Sequence, residues 1–157
     1  MPRERAEVAR GVHWSQQLPV DPDIDKRDAV HPLAVIAFIF LGGCIGGLLR
    51  YAVTRQWPSG DGDFPWATFG VNVAGAFTLG VVVELAAELQ PRWVYVRPLF
   101  GAGFCGALTT FSSIVVSVDR LVAHGHAAVA AEYLVATVAA GVAAGAVALA
   151  GTRWAAR

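Results

Sequence analysis

Four long stretches of this chain carry no Asp, Glu, Lys or Arg, and their lengths restrict the fold more than any other feature. Asp28 and Arg50 enclose 21 such residues, Asp63 and Glu84 enclose 20, Arg97 and Asp119 another 21, and Glu132 and Arg153 a further 20. A helix crosses the hydrocarbon of a bilayer with about 20 apolar residues. Four windows of that length in 157 residues predict an all-α integral membrane protein with four transmembrane helices, and exclude a soluble domain around a buried core. A signal peptide is not expected, because the first apolar run starts near Pro32 behind a polar tail and no small-residue cleavage site follows it.

The charge that remains is collected outside the windows. Residues Met1 to Asp28 hold five basic and six acidic side chains with several prolines, and read as a disordered or loosely attached N-terminal extension before a membrane domain at 29–157. Within that domain the expected spans are 32–53, 67–89, 94–123 and 127–152. The third is longer than a membrane needs, which leaves room for an interruption at its centre. Trp57 and Trp66 fall at one interface and Trp93, Tyr95 and Trp154 at the other, as an aromatic belt requires. PSGDG (58–62) and HGH (124–126) are turn chemistry. HGH could ligate a metal, but the turn reading is preferred, and His13, His31, His124 and His126 receive no role.

Basic residues orient the chain only weakly. The face holding both termini carries Lys26, Arg27, Arg92, Arg97, Arg153 and Arg157, against Arg55 and Arg120 opposite, with Arg50 close by. That leans toward cytoplasmic termini and permits both orientations. Net charge is zero, so nothing points to nucleic acid. Cys44 and Cys105 lie inside spans without disulfide or metal-ligand spacing. Small residues recur in the spans, including Gly42, Gly43, Gly46 and Gly47 in the first and Gly141 and Gly145 in the fourth. They allow close backbone approach within one bundle or between subunits.

Polar groups inside the spans carry the functional signal. Arg50 follows the glycine face of span one, either snorkelling to the interface or standing as a cation at the mouth of an anion pathway. Thr68 and Asn72 share one face of span two; the asparagine can bond a neighbouring helix or donate two hydrogen bonds to an anion. Tyr133, Thr137, Gly141 and Gly145 form a stripe along span four. Gly101, Gly103 and Gly106 can break span three and expose carbonyls suited to a hard cation. Thr109, Thr110, Ser112 and Ser113 then supply hydroxyls, and Phe111 a ring with an electropositive edge. No carboxylate occupies the middle of any span; Glu84 and Glu88 fall near the end of span two. Donors without carboxylates suit an anion, and no catalytic constellation of an enzyme is present.

GGCIGGLLRY in span one, ATFGVNVAGAFTLG in span two, GFCGALTTFSS in span three and AEYLVAT in span four together resemble the Fluc (CrcB) fluoride channels over nearly all of residues 35–152. The resemblance implies a passive fluoride channel of the cell membrane that removes cytoplasmic fluoride. It implies an antiparallel dual-topology dimer with two pores. It also implies a structural sodium ion at the dimer interface, held by main-chain carbonyls of Gly106 and Thr109 from each subunit. Asn72, Phe111 and Tyr133 match pore positions, Thr68, Thr110, Ser112 and Thr137 are polar-track candidates, and Arg50 matches the vestibule arginine. Two positions depart from the pattern. Ile114 replaces a second pore phenylalanine, and Ser117 replaces a glutamate. A heterodimer with a paralogous subunit, in which this chain does not conduct alone, is therefore the main alternative. A small multidrug-type antiporter is the other, disfavoured because residues 29–49 lack the carboxylate that proton coupling needs.

Overall fold

The computed structural model describes residues 31–88 and 94–155. The N-terminal extension, with Lys26 and Arg27, lies outside them, as do Arg92, Trp93, Arg157 and the side chain of Glu88. Five α-helices and one π-helical stretch make up the described chain: α1 (Pro32–Gln56), α2 (Trp66–Glu88), the π-helical stretch (Arg97–Cys105), α3 (Gly106–Leu108), α4 (Ser112–Ala123) and α5 (Ala127–Ala155). They provide four segments long and apolar enough to cross a membrane: Pro32–Gln56, Trp66–Ala87, Arg97–Ala123 and Ala127–Ala155. The chain is thus a multi-pass membrane protein. Its spans begin and end within a few residues of the limits read from charge spacing.

Helix α1 packs mainly on the π-helical stretch, and α2 on α5. Glycine makes both contacts possible. A Cβ on Gly42 would collide with the carbonyl oxygen of Leu99 and lie 2.8 Å from the Phe104 nitrogen, and one on Gly46 would collide with the Phe104 carbonyl oxygen. From the other side, a Cβ on Gly103 would lie 2.6 Å from the Ile39 carbonyl oxygen. Backbone therefore meets backbone along this seam, the contact that small residues provide in lipid, where no hydrophobic force drives helices together. On the second contact, Gly80 faces Ala148 and Gly145, each 2.8 Å from where its Cβ would stand. Further along the same pair of helices, Arg153 Nε donates to Glu84 Oε1 at 2.9 Å, tying the ends of α2 and α5 across 69 positions of sequence.

The interruption of span three falls elsewhere than its glycines suggest. Gly101, Gly103 and Gly106 are all helical, and Gly103 takes the close approach of α1. The backbone leaves helical geometry at Thr109, which is extended (φ −79°, ψ 153°), and helix resumes at Ser112. At one end of the bundle the α1–α2 loop meets the α4–α5 turn. Gly62 adopts φ +93° there and lies against the His126 ring, while Gly125 adopts φ +84° in the HGH turn. Cys44 is uncovered, Cys105 is buried, and both are free thiols.

Candidate functional site

Asn72 holds the non-helical residues in place. Its Oδ1 accepts the Thr110 N–H at 2.7 Å, and its Nδ2 donates to the Thr110 carbonyl at 3.2 Å. One side-chain amide thereby satisfies both main-chain groups of a residue outside any helix. Irregular backbone at membrane depth needs such a partner, since lipid provides none. The Thr110 hydroxyl accepts the Ser113 N–H at 3.2 Å, capping α4, and also lies 3.1 Å from Ser113 Oγ and 3.2 Å from Ser112 Oγ. Thr109 is turned back on α3, where its N–H and its hydroxyl both donate to the Cys105 carbonyl.

These diversions release two carbonyls. In a continuous α-helix the Gly106 oxygen would accept from Thr110 N–H, and the Thr109 oxygen from Ser113 N–H. Here the first donor goes to Asn72 and the second to Thr110 Oγ1. Gly106 is exposed in the single chain. Neutral main-chain oxygens that have lost their helical donors are the type that a hard cation takes. Gly106 and Thr109 therefore fit a sodium ion by chemistry. No cluster of three or more His, Cys, Asp or Glu side chains able to hold a metal occurs among the described residues.

One turn along the same face of α2, Thr68 joins a second polar group. Tyr133 on α5 is fully buried, at 0% exposure. The hydroxyls of Ser117 (α4), Thr137 (α5) and Thr68 (α2) surround its phenol. Neither Tyr133 Oη nor Thr137 Oγ1 reaches hydrogen-bonding geometry with any described residue. Leaving a buried hydroxyl unpaired costs about 1–3 kcal/mol, so this spot holds hydrogen-bonding capacity that the neighbouring hydroxyls approach without meeting in good geometry. The ring of Phe64, from the α1–α2 loop, stands edge-on to the Tyr133 ring at a centroid distance of 5.2 Å and an angle of 90°.

The fold thus brings Thr110 and the exposed Ser112 to Asn72, and Tyr133 and Thr137 to Thr68 one turn away on α2. Phe111 is not in that group: it is 73% exposed and points away from the single chain. Arg50 is half-buried on α1, with its carbonyl accepting from Thr54 Oγ1, and is likewise outside it. Ile114, the residue in place of a phenylalanine, is buried. Ser117 was legible only as a missing glutamate, yet the fold turns it to the Tyr133 phenol. Phe64 carries one sequence signal, the Phe-Pro pair ahead of span two.

Comparison with known proteins adds the following. The family described as CrcB-like protein, Camphor Resistance (CrcB), matches residues 37–151. The fluoride-specific ion channel FluC 2 of Streptomyces avermitilis is 45% identical over 113 residues, covering 71% of this chain and 72% of that protein. The fluoride-specific ion channel FluC 1 of Mycolicibacterium paratuberculosis is 40% identical over 113 residues, with 72% and 86% covered. A third relative, the fluoride-specific ion channel FluC 3 of Streptomyces avermitilis, is 48% identical over 97 residues; these cover 62% of this chain and 48% of that longer protein.

Proposed function

Since the chain belongs to the CrcB family, we propose that it is a fluoride-specific channel, conducting passively rather than acting as an enzyme. The observation that carries this reading is the pair of unpartnered buried hydroxyls, Tyr133 Oη and Thr137 Oγ1. Fluoride is small and strongly hydrated, and enters a protein only where compact donors replace its water. Tyr133, Thr137, Thr68 and Ser117 offer four hydroxyls and no full cation that would trap the ion. Asn72, Thr110 and Ser112 add an amide and two more hydroxyls beside them, one N–H of Asn72 having no partner among the described residues. Arg50 would act at a vestibule, raising local anion concentration.

In a cell membrane held at 100 mV, inside negative, an anion gains about 2.3 kcal/mol on leaving, so a passive pore exports fluoride without coupling. The pore would be completed by a second subunit inserted antiparallel. Phe111 would then be supplied to the pore across the interface, which its exposure in the single chain supports. Gly106 and Thr109 of both subunits would hold a sodium ion that neutralises the released carbonyls. Substituting a bulky organic cation for sodium throughout purification is expected to dissociate the dimer or lower its melting temperature, read by gel filtration and thermal melting in detergent. Equal stability in both cations would remove the ion from the account.

Fluoride efflux from liposomes holding this chain alone, with chloride as control, tests the function. Rapid fluoride loss with chloride retained is the expected result. A second reading, that the chain conducts only beside a paralogous subunit, draws on Ile114 and Ser117 and on the two numbered relatives in Streptomyces avermitilis. Efflux that appears only on co-reconstitution would select it, and silence under both conditions would end the channel reading.

A further inference from the structure

Phe64 occupies a boundary that these polar groups do not explain. Its main chain is fixed on both sides. Upstream, Asp63 N–H donates to the Gly60 carbonyl at 3.2 Å, and Asp63 Oδ2 accepts from Gly60 N–H. Downstream, the Phe64 carbonyl accepts from Trp66 N–H at 2.8 Å, and buried Pro65 starts the hydrogen bonding of α2 through Phe69 N–H. The side chain is therefore placed by the start of α2 and does not follow the loop tip. Its ring lies 4.4 Å from the Trp66 ring, 5.5 Å from Phe69 and 5.2 Å from Tyr133. It also lines an open groove of about 790 Å³ between α1, the loop and α2, with Val53, Trp57, Trp66 and Val71 among the other walls. One side of Phe64 thus faces that groove, and the other faces the ring of a tyrosine that has no exposure whatever.

The O–H bond of a tyrosine prefers the plane of its ring, and an edge-to-face partner restrains that plane. A buried donor set is also worth most when bulk water stays out of it. Resting on the fluoride reading above, we propose that Phe64 is a positioning residue for the buried hydroxyl pocket. Its ring holds the plane of the Tyr133 ring, and with it the direction of the phenol O–H bond among Ser117, Thr137 and Thr68, and separates that pocket from the groove. Selectivity for fluoride over a larger, more weakly hydrated halide then depends on a residue that touches no ion.

The test compares Phe64→Leu, which keeps apolar volume without a ring, with Phe64→Tyr, which keeps the ring, each alone and combined with Tyr133→Phe. In liposomes, Phe64→Leu is expected to slow fluoride efflux by roughly 3- to 10-fold, the range of an aromatic pair, and to admit more chloride. Phe64→Tyr should restore both properties. In the Tyr133→Phe background the Phe64→Leu effect should shrink, because the two residues act as one unit. Near-UV circular dichroism of the four-ring cluster, titrated with fluoride in detergent, gives a binding midpoint independent of conduction; Phe64→Leu should weaken it by the same factor. Should Phe64→Leu fail to fold, Phe64→Met serves in its place. An unshifted midpoint or wild-type efflux and selectivity in the ringless variant overturns the proposal, as does an undiminished effect in the Tyr133→Phe background. A wild-type chain that neither binds nor passes fluoride overturns the fluoride reading and this proposal with it.

Discussion

Replacing Asn72 with aspartate is expected to abolish fluoride conduction and to weaken the fold as well. Aspartate retains an oxygen for the Thr110 N–H, but puts a second, charged oxygen where Nδ2 now donates to the Thr110 carbonyl at 3.2 Å. A hydrogen bond is lost and two acceptors are forced together in a buried site. The cost is about 3 kcal/mol, near a hundredfold in any step that needs the clamp. An anion placed beside these polar groups repels fluoride in addition. Efflux assays should show no conduction above empty liposomes, and thermal melting should show a clear loss of stability. Wild-type efflux with an unchanged melt would mean that Asn72 neither lines the path nor holds span three.

The other large effect concerns Gly42. Gly42→Ala places a methyl group onto the Leu99 carbonyl oxygen and close to the Phe104 nitrogen, both main-chain atoms that no rotamer change can move. Overpacking of this kind costs about 1–3 kcal/mol, and Gly46→Ala adds a like clash with the Phe104 carbonyl. The double variant should give little folded protein by gel filtration. Gly43→Ala and Gly47→Ala are the informative contrast, since nothing lies within 4 Å of either added Cβ in the single chain. They should leave the fold of the chain intact, with an effect below about 0.5 kcal/mol. If a second subunit covers that face, the same two variants should elute as monomer.

The spans were legible because the charge gaps match the thickness of hydrocarbon, a constraint each segment meets by itself. Contacts between segments were less so. Asn72 could be seen as either interhelical glue or an ion ligand, and only the fold reveals that it serves Thr110 at 38 positions' remove. The glycines of span three suggested a break because glycine loosens a helix. They are helical all the same, Gly103 taking the close approach of α1 and Gly101 facing Leu79 and Val82 of α2, and the chain departs from the helix three residues after Gly106, where side-chain hydroxyls and Asn72 take over the main-chain bonds. The Glu84–Arg153 pair and the Phe64–Tyr133 contact join loop or helix ends far apart in sequence, so no local pattern announces them. Ser117 is the sharpest case: its value lies in what faces it, and sequence spacing records only what it replaced.

In the proposed pore, the buried hydroxyls of Tyr133 and Thr137 take the place of water around fluoride. Fluoride efflux from liposomes containing the Tyr133→Phe, Thr137→Val double variant tests this, since the first change deletes the hydroxyl, the second replaces it with a methyl group, and both nearly preserve shape. The variant should assemble as the wild type does and lose at least roughly tenfold in fluoride flux, one pair of buried donors being worth more than the 1.4 kcal/mol that this represents. Undiminished fluoride flux through the variant, with chloride still excluded, would contradict the claim.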